Sequence, residues 1–175
     1  MFSLKSVAAG ATALALLATS ATAETVIRIQ SVLGNSSDEV FMLQSFADDV
    51  EGLTGGSVKI EILPAGAVVG PRDIMDAVDA GLVEGGFAWT HYWGGKHPAA
   101  NLFGAPIAGA GVGLDAMSFL AWFQYGGGKE LYDRLWDEMG VNVKGFMLQP
   151  VGPEALGWFP SKIETMDDFR KLRFR

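Results

Sequence analysis

The chain has 175 residues with 13 basic and 20 acidic side chains, and it contains no cysteine. The acid excess disfavours nucleic acid and anionic lipid as partners, because both would be repelled. The missing thiols exclude disulfides and thiolate metal sites, so a single ordinary domain of this size has to rest on its core.

The first residues carry an address. "MFSLKSVAAGATALALLATSATA" (1–23) has one lysine, Lys5, an apolar run from about Val7 to Ala18, and Ala-Thr-Ala at 21–23. This is the order of a secretory signal peptide, with cleavage expected after Ala23. The competing reading, a membrane anchor, meets a run that is short and alanine-rich for a bilayer span. Cleavage leaves a mature chain from Glu24 and moves the formal charge from −7 to −8, since one lysine and no acid are lost. Export with a cysteine-free, globular composition points to a Gram-negative periplasm.

Along the mature chain two hydrophobic periods alternate. "TVIRIQSV" (25–32) alternates as a half-buried strand. Asp38 is expected to cap a helix with Leu43, Phe46, Ala47, Val50 and Leu53 on one face, ended by Gly55-Gly56. "SVKIEILP" (57–64) is a second strand, Pro71 opens a second helix running to about Ala80, and "EGGFAWT" (84–90) is a third strand. This βαβαβ order predicts an α/β fold with a largely parallel sheet flanked by helices. Residues 98–114 carry no charge and include Pro98, Pro106 and four glycines, which suits a close-packed buried crossing better than a membrane span. Asp115 caps a further helix, "GGG" at 126–128 interrupts it, and "KELYDRLWDEM" resumes. A strand is expected at 141–149, and "GWF" (157–159) is a weaker candidate.

Catalytic signatures are lacking. Gly111, Gly113 and Ala116 fit a GxGxxA pattern with Asp133 downstream, but Asp133 falls within a helix where a ribose-binding acid should end a strand. His91 and His97 have no cysteine or acidic cluster near them in sequence, so surface or rim histidines are the plain reading. Asp48/Asp49 and Asp167/Asp168 read as solvated helix faces and first turns. No nucleophile–base pair stands out. Binding has more support: "FAWTHYWGGKHP" (87–98) places aromatics and a histidine at the carboxyl end of the third strand, where α/β sheets hold ligands. Core packing explains aromatics there equally well. A second group is Glu154, Trp158 and Arg175; an arginine fork suits a carboxylate, while a surface arginine is its plain reading.

The signal peptide, "IRIQS", "LPAGAVVGPRDIMDAVDAGLVEGGFAWTHYWGGK", "GPEALGWF" and "DDFRKLRFR" together resemble the DctP-type substrate-binding proteins of TRAP transporters. The likeness is closest to the branch taking 2-oxo acids or aromatic carboxylates. The resemblance implies a periplasmic-binding-protein-like fold of two α/β lobes closing on a carboxylate. The solute is then handed to small and large membrane subunits driven by an ion gradient. It implies that Arg175 grips the carboxylate, that Tyr92, His91, Trp93 and Trp158 line the cleft, and that Glu154 meets a cation. Glu154 stands where the family typically has glutamine, and His91 where a tyrosine is common, so either a 2-oxo acid or an aromatic carboxylate fits. No cofactor is required; the resemblance implies a sodium or calcium ion that can bridge to the solute, and the added negative charge of Glu154 either suits calcium or accepts a hydrogen bond from a different substrate. Family members run well past this length. The expectation is therefore the N-terminal part of such a protein: a first lobe over 24–147, then a hinge crossing and the start of a second lobe over 148–175. Dimerisation through the family's C-terminal helices is not expected of that part. The alternatives are a fragment without binding activity and a periplasmic enzyme acting on carboxylates.

Overall fold

The structure, a computed structural model, describes residues 24–104, 114–149 and 157–173. The signal segment, the glycines of the GxGxxA pattern, Glu154 and Arg175 lie outside the described residues.

Strand β1 (Thr25–Ser31) is the centre of the sheet. It pairs in parallel with β2 (Val58–Leu63) from Thr25↔Val58 to Gln30↔Leu63, and with β3 (Gly85–Phe87) from Ile29↔Gly85 to Ser31↔Phe87. Parallel neighbours need crossovers, and helices supply both. Helix α1 (Asp38–Leu53) joins β1 to β2, and α2 (Ile74–Asp79), entered through a 3-10 turn at Pro71–Asp73, joins β2 to β3. The α/β, largely parallel architecture read from the sequence is the one observed.

Several local expectations shift by a residue or a turn. The cap of α1 is Ser37, whose hydroxyl accepts from the Val40 N–H at 3.3 Å. Asp38 becomes a first-turn acid, favourable near the helix's positive end. Leu43 and Ala47 are buried on β2 as expected, but Phe46 and Leu53 are exposed, Leu53 at 88%. Leu53 is the final residue of α1, where little sheet remains to cover it. The third strand is shorter than expected, because the chain turns after Phe87 into a 3-10 turn at Thr90–Trp93. That turn buries Trp93 against Trp136, with ring centroids 6.0 Å apart.

A 3-10 turn at Pro98–Ala100 then runs into α3 (Asn101–Gly104), burying Ala100 and Phe103. Asp115 caps α4 (Ala116–Tyr125), accepting from the Ser118 N–H at 2.9 Å. Gly127, at φ +87°, makes the left-handed break before α5 (Gly128–Met139). Residues 141–149 are extended, with Val141, Val143, Gly145 and Met147 half-buried and the residues between them exposed. The expected strand period is present, yet among the described residues this segment joins no ladder, and neither does 157–159. Helix α6 (Met166–Arg170) starts at a capping box between Thr165 and Asp168.

Two polar devices fix β1. Arg28 donates Nε–H and Nη2–H to the two oxygens of Glu84 at 2.9 and 2.6 Å, and its backbone N–H meets the same carboxylate at 2.8 Å. These hydrogen bonds push the Glu84 carboxyl down to about 2. Gln30 is 0% exposed. Its Oε1 accepts from the Val68 and Val69 N–H groups at 3.0 Å, and its Nε2 donates to the Val69 carbonyl at 2.7 Å.

Gln30→Ala is expected to cost about 2–3 kcal/mol in urea unfolding, since two loop N–H groups lose their acceptor. A loss under about 0.5 kcal/mol would mean that the loop after β2 is held by other contacts. Glu84 has a lowered folded-state pKa, so its stabilisation is complete above the usual carboxylate range and fades as pH falls toward about 2. Glu84→Gln should therefore narrow the difference in urea midpoint between about pH 5 and about pH 2.5, compared with the parent. An equal acid-induced drop in both proteins would show that the Arg28–Glu84 pair carries none of it.

Candidate ligand-binding site

The carboxyl ends of the three described strands meet at one edge of the sheet, which is where parallel sheets leave room for ligands. After β1, Val32 N–H bonds the Phe87 carbonyl at 2.9 Å, and Ser31 Oγ accepts from Leu33 N–H at 2.9 Å. After β2 comes the loop held by Gln30, leading to Arg72. After β3 comes the aromatic turn Trp89–Trp93.

Each residue of that turn has a distinct partner. The Thr90 and Tyr132 hydroxyls meet at 2.9 Å in the interior, and burial pushes the Tyr132 hydroxyl's pKa up, so it stays a neutral hydrogen-bonding group. His91 Nδ1 lies 2.5 Å from the Gly104 carbonyl. A carbonyl only accepts, so Nδ1 carries a proton and donates it to this contact. The contact needs glycine at 104, because a Cβ there would stand 2.6 Å from the Thr90 backbone nitrogen. The Tyr92 ring sits edge-on to His91 at 5.0 Å and to Trp89 at 5.8 Å. Trp93 turns inward at 7% exposure and donates its indole N–H to the Arg72 carbonyl at 2.9 Å.

The residues singled out from the sequence therefore separate. His91 and Tyr92 come together with Trp89 on a partly exposed face. Trp93 belongs to the aromatic core and positions Arg72. Trp158 is 96% exposed. Glu154 and Arg175 lie outside the described residues. His97 is a structural residue: Nδ1 accepts from Ala99 N–H at 3.2 Å, and Nε2 lies 3.2 Å from Glu138. Asp133, the acid of the GxGxxA reading, bridges Lys129 and Lys144 at 2.8 and 2.5 Å from within α5. Among the described residues, no group of three or more His, Cys, Asp or Glu converges as a metal cage. Sequence reasoning singled out neither Gln30 nor Arg72, although both stand within the stretches quoted above, since only the packed loop gives them partners.

A cavity of about 1090 Å³ lies nearby, between β3, the extended 142–149 segment and the aromatic core. Its walls are largely apolar. Its charged residues, Glu84 and Lys144, are already paired with Arg28 and Asp133. Trp89, Thr90 and Trp93 of the aromatic turn also line it, and a carboxylate entering there would meet no free cation among the described lining residues. The Trp136 indole N–H is buried beside this space without a partner among the described residues. No helix among the described residues is long and apolar enough to cross a membrane.

Comparison with known proteins gives this arrangement a family. Residues 30–175 match the model for DctP, bacterial extracellular solute-binding protein family 7. A monocarboxylate 2-oxoacid-binding periplasmic protein of Nostoc sp. strain PCC 7120 is 32% identical over 132 residues, 75% of this chain and 35% of the relative. Two solved TRAP solute-binding proteins each superpose with a TM-score of 0.58. One, from Pseudoalteromonas atlantica T6c with bound sodium and pyruvate, is 28% identical and is matched over 67% of this chain and 35% of its own. The other, from Bordetella bronchiseptica RB50 with copurified calcium and picolinate, is 27% identical over 67% and 34%. The chain thus spans about a third of the length of these relatives. With the match covering most of its residues, the chain belongs to the DctP family of bacterial extracellular solute-binding proteins, a solute-binding family rather than an enzyme class.

Proposed function

We propose that this protein is the periplasmic solute-binding subunit of a TRAP transporter and captures a small organic carboxylate, either a 2-oxo acid or an aromatic carboxylate, for ion-gradient-driven uptake. The observation that carries this is the family match, which runs from Gln30 at the carboxyl end of β1 through to Arg175. Residues 24–147 form the first lobe, and 148–175 form the hinge crossing and the start of the second. Arg175 is the carboxylate anchor, with His91, Tyr92 and the exposed Trp158 as cleft residues. Small and large membrane subunits receive the solute.

Capture works through exclusion of water. As two lobes close on a carboxylate, its attraction to a guanidinium strengthens because the local dielectric falls. Related structures hold sodium with pyruvate and calcium with picolinate. In this chain Glu154 is the proposed oxygen ligand for such an ion, and the described residues form no cage of their own for it. The second reading, a piece that holds no solute alone, draws on the share of the relatives' length that is spanned and on the unpaired 141–149 segment.

Protein recovered from the periplasm of its own organism is expected to begin at Glu24, read from its N-terminal peptide by mass spectrometry. A first residue at Met1 would overturn cleavage after Ala23, and absence of the protein from the periplasm would overturn the export assignment. Titration calorimetry of that protein with pyruvate and picolinate, in sodium and then in calcium, should show saturable binding. Arg175→Ala should weaken it by at least about 30-fold, the cost of removing one partner of a desolvated ion pair. Unchanged affinity would remove Arg175 from the site, and no binding by the parent under either salt would favour the second reading.

A further inference from the structure

We propose that Arg72 is a cationic solute contact supplied by the first lobe, and that with the aromatic turn it selects a planar aromatic carboxylate over a small aliphatic one. The inference rests on the carboxylate-binding reading above and names the substrate class within it.

Three observations carry it. The first is the guanidinium itself. Its carbon lies 5.8 Å from the centroid of the Tyr92 ring, within the Trp89–His91–Tyr92 group. Stacking on a ring occupies the face of a guanidinium and leaves its N–H fork, which lies in the plane, open to a carboxylate. The second is the absence of a protein counter-ion. Among the described residues no carboxylate lies within ion-pair distance of Arg72. By contrast Arg28, Arg134 and Arg170 pair with Glu84, Glu138 and Asp167 at 2.6, 3.0 and 2.8 Å. In a chain with this acid excess, an arginine left without an acid at the carboxyl end of a parallel sheet is placed for an external anion.

The third is rigidity. A surface arginine ordinarily loses side-chain and backbone freedom when it binds. Here the Arg72 carbonyl is fixed by the buried Trp93 indole, and the preceding loop is fixed at Val68 and Val69 by the buried Gln30 amide. The backbone is therefore ordered in advance, which lowers the cost of binding. The half-buried rings of Trp89, His91 and Tyr92 offer aromatic contact area to a flat acid that a three-carbon acid cannot use.

The test compares picolinate with pyruvate by calorimetry on the parent, Arg72→Gln and Arg72→Lys, with thermal midpoints recorded alongside. Picolinate affinity is expected to fall about tenfold or more in Arg72→Gln and also in Arg72→Lys, whose point charge lacks the planar fork. Pyruvate should change less than threefold, and the thermal midpoints should stay together. Unchanged picolinate affinity in Arg72→Gln, or full retention in Arg72→Lys, overturns the role of the fork. Equal losses for both acids overturn the selection of an aromatic ring. If the parent binds neither acid, the carboxylate reading itself falls and takes this inference with it, an outcome distinct from a parent that binds and a variant that binds equally well.

Discussion

Everything in this lobe is referenced to β1, and β1 is fixed by polar contacts as much as by its ladders. Arg28 and Gln30 share one face of the strand. Arg28 grips Glu84 just before β3, and Gln30 holds the loop just after β2. A one-residue slip would carry both side chains to the opposite face and leave a guanidinium and an amide without partners. Parallel ladders alone specify register weakly where one neighbour is only three residues long, as β3 is. The hydrogen bonds from β1 to the segments flanking β2 and β3 supply the missing specificity. They also set where the two site-forming loops begin.

From that reference the aromatic core sets the height of the turn after β3. Trp93, Phe103, Tyr132 and Trp136 pack with ring centroids 4.8 to 6.0 Å apart, in edge-on and tilted arrangements that aromatic quadrupoles favour. Thr90 is drawn in by Tyr132 and Trp93 by Trp136, so the residues between them, His91 and Tyr92, are turned toward the rim. The site is thus a by-product of core packing: residues on the buried side of a single 3-10 turn hold residues on its open side. The Trp93 indole extends this one step further by fixing the Arg72 carbonyl.

The strands, helices and parallel order were legible because each element has its own short-range signal. Periods of two and of about 3.6, prolines at first turns and glycines past helix ends all survive in the folded chain. What was not legible depended on neighbours. Ser37 and Asp38 are both good caps, and only backbone geometry decides that Ser37 takes the role. Phe46 and Leu53 fit the apolar stripe of α1, but Phe46 faces the open cavity and Leu53 ends the helix, so both are exposed. Residues 141–149 keep the alternation of a strand with no ladder beside them, since periodicity reports a half-buried surface and not a pairing partner. At the site, the cluster at 87–98 was visible as composition, whereas the inward turn of Trp93 and the outward turn of His91 follow from three-dimensional packing.

The charge distribution argues for recognition by local contacts. The net charge of −7 repels anions at long range, so steering by net charge works against binding one. Most described cations near the sheet are already engaged: Arg28 with Glu84, Lys96 with Asp76, and Lys144 with Asp133. Taking any of these for a ligand would strand an acid and gain little, because exposed pairs exchange partners at nearly equal energy. On the carboxylate reading proposed above, net attraction is greatest at a guanidinium that no described acid already holds, such as Arg72, beside surfaces that exclude water. Aromatic rings do both parts of this work. They shield the local field from solvent, and they bind the flat face of a guanidinium without neutralising it. On the same reading, an acidic exterior with an aromatic, arginine-bearing rim would make affinity depend on close fit and would penalise anions too small or too irregular to cover the rings.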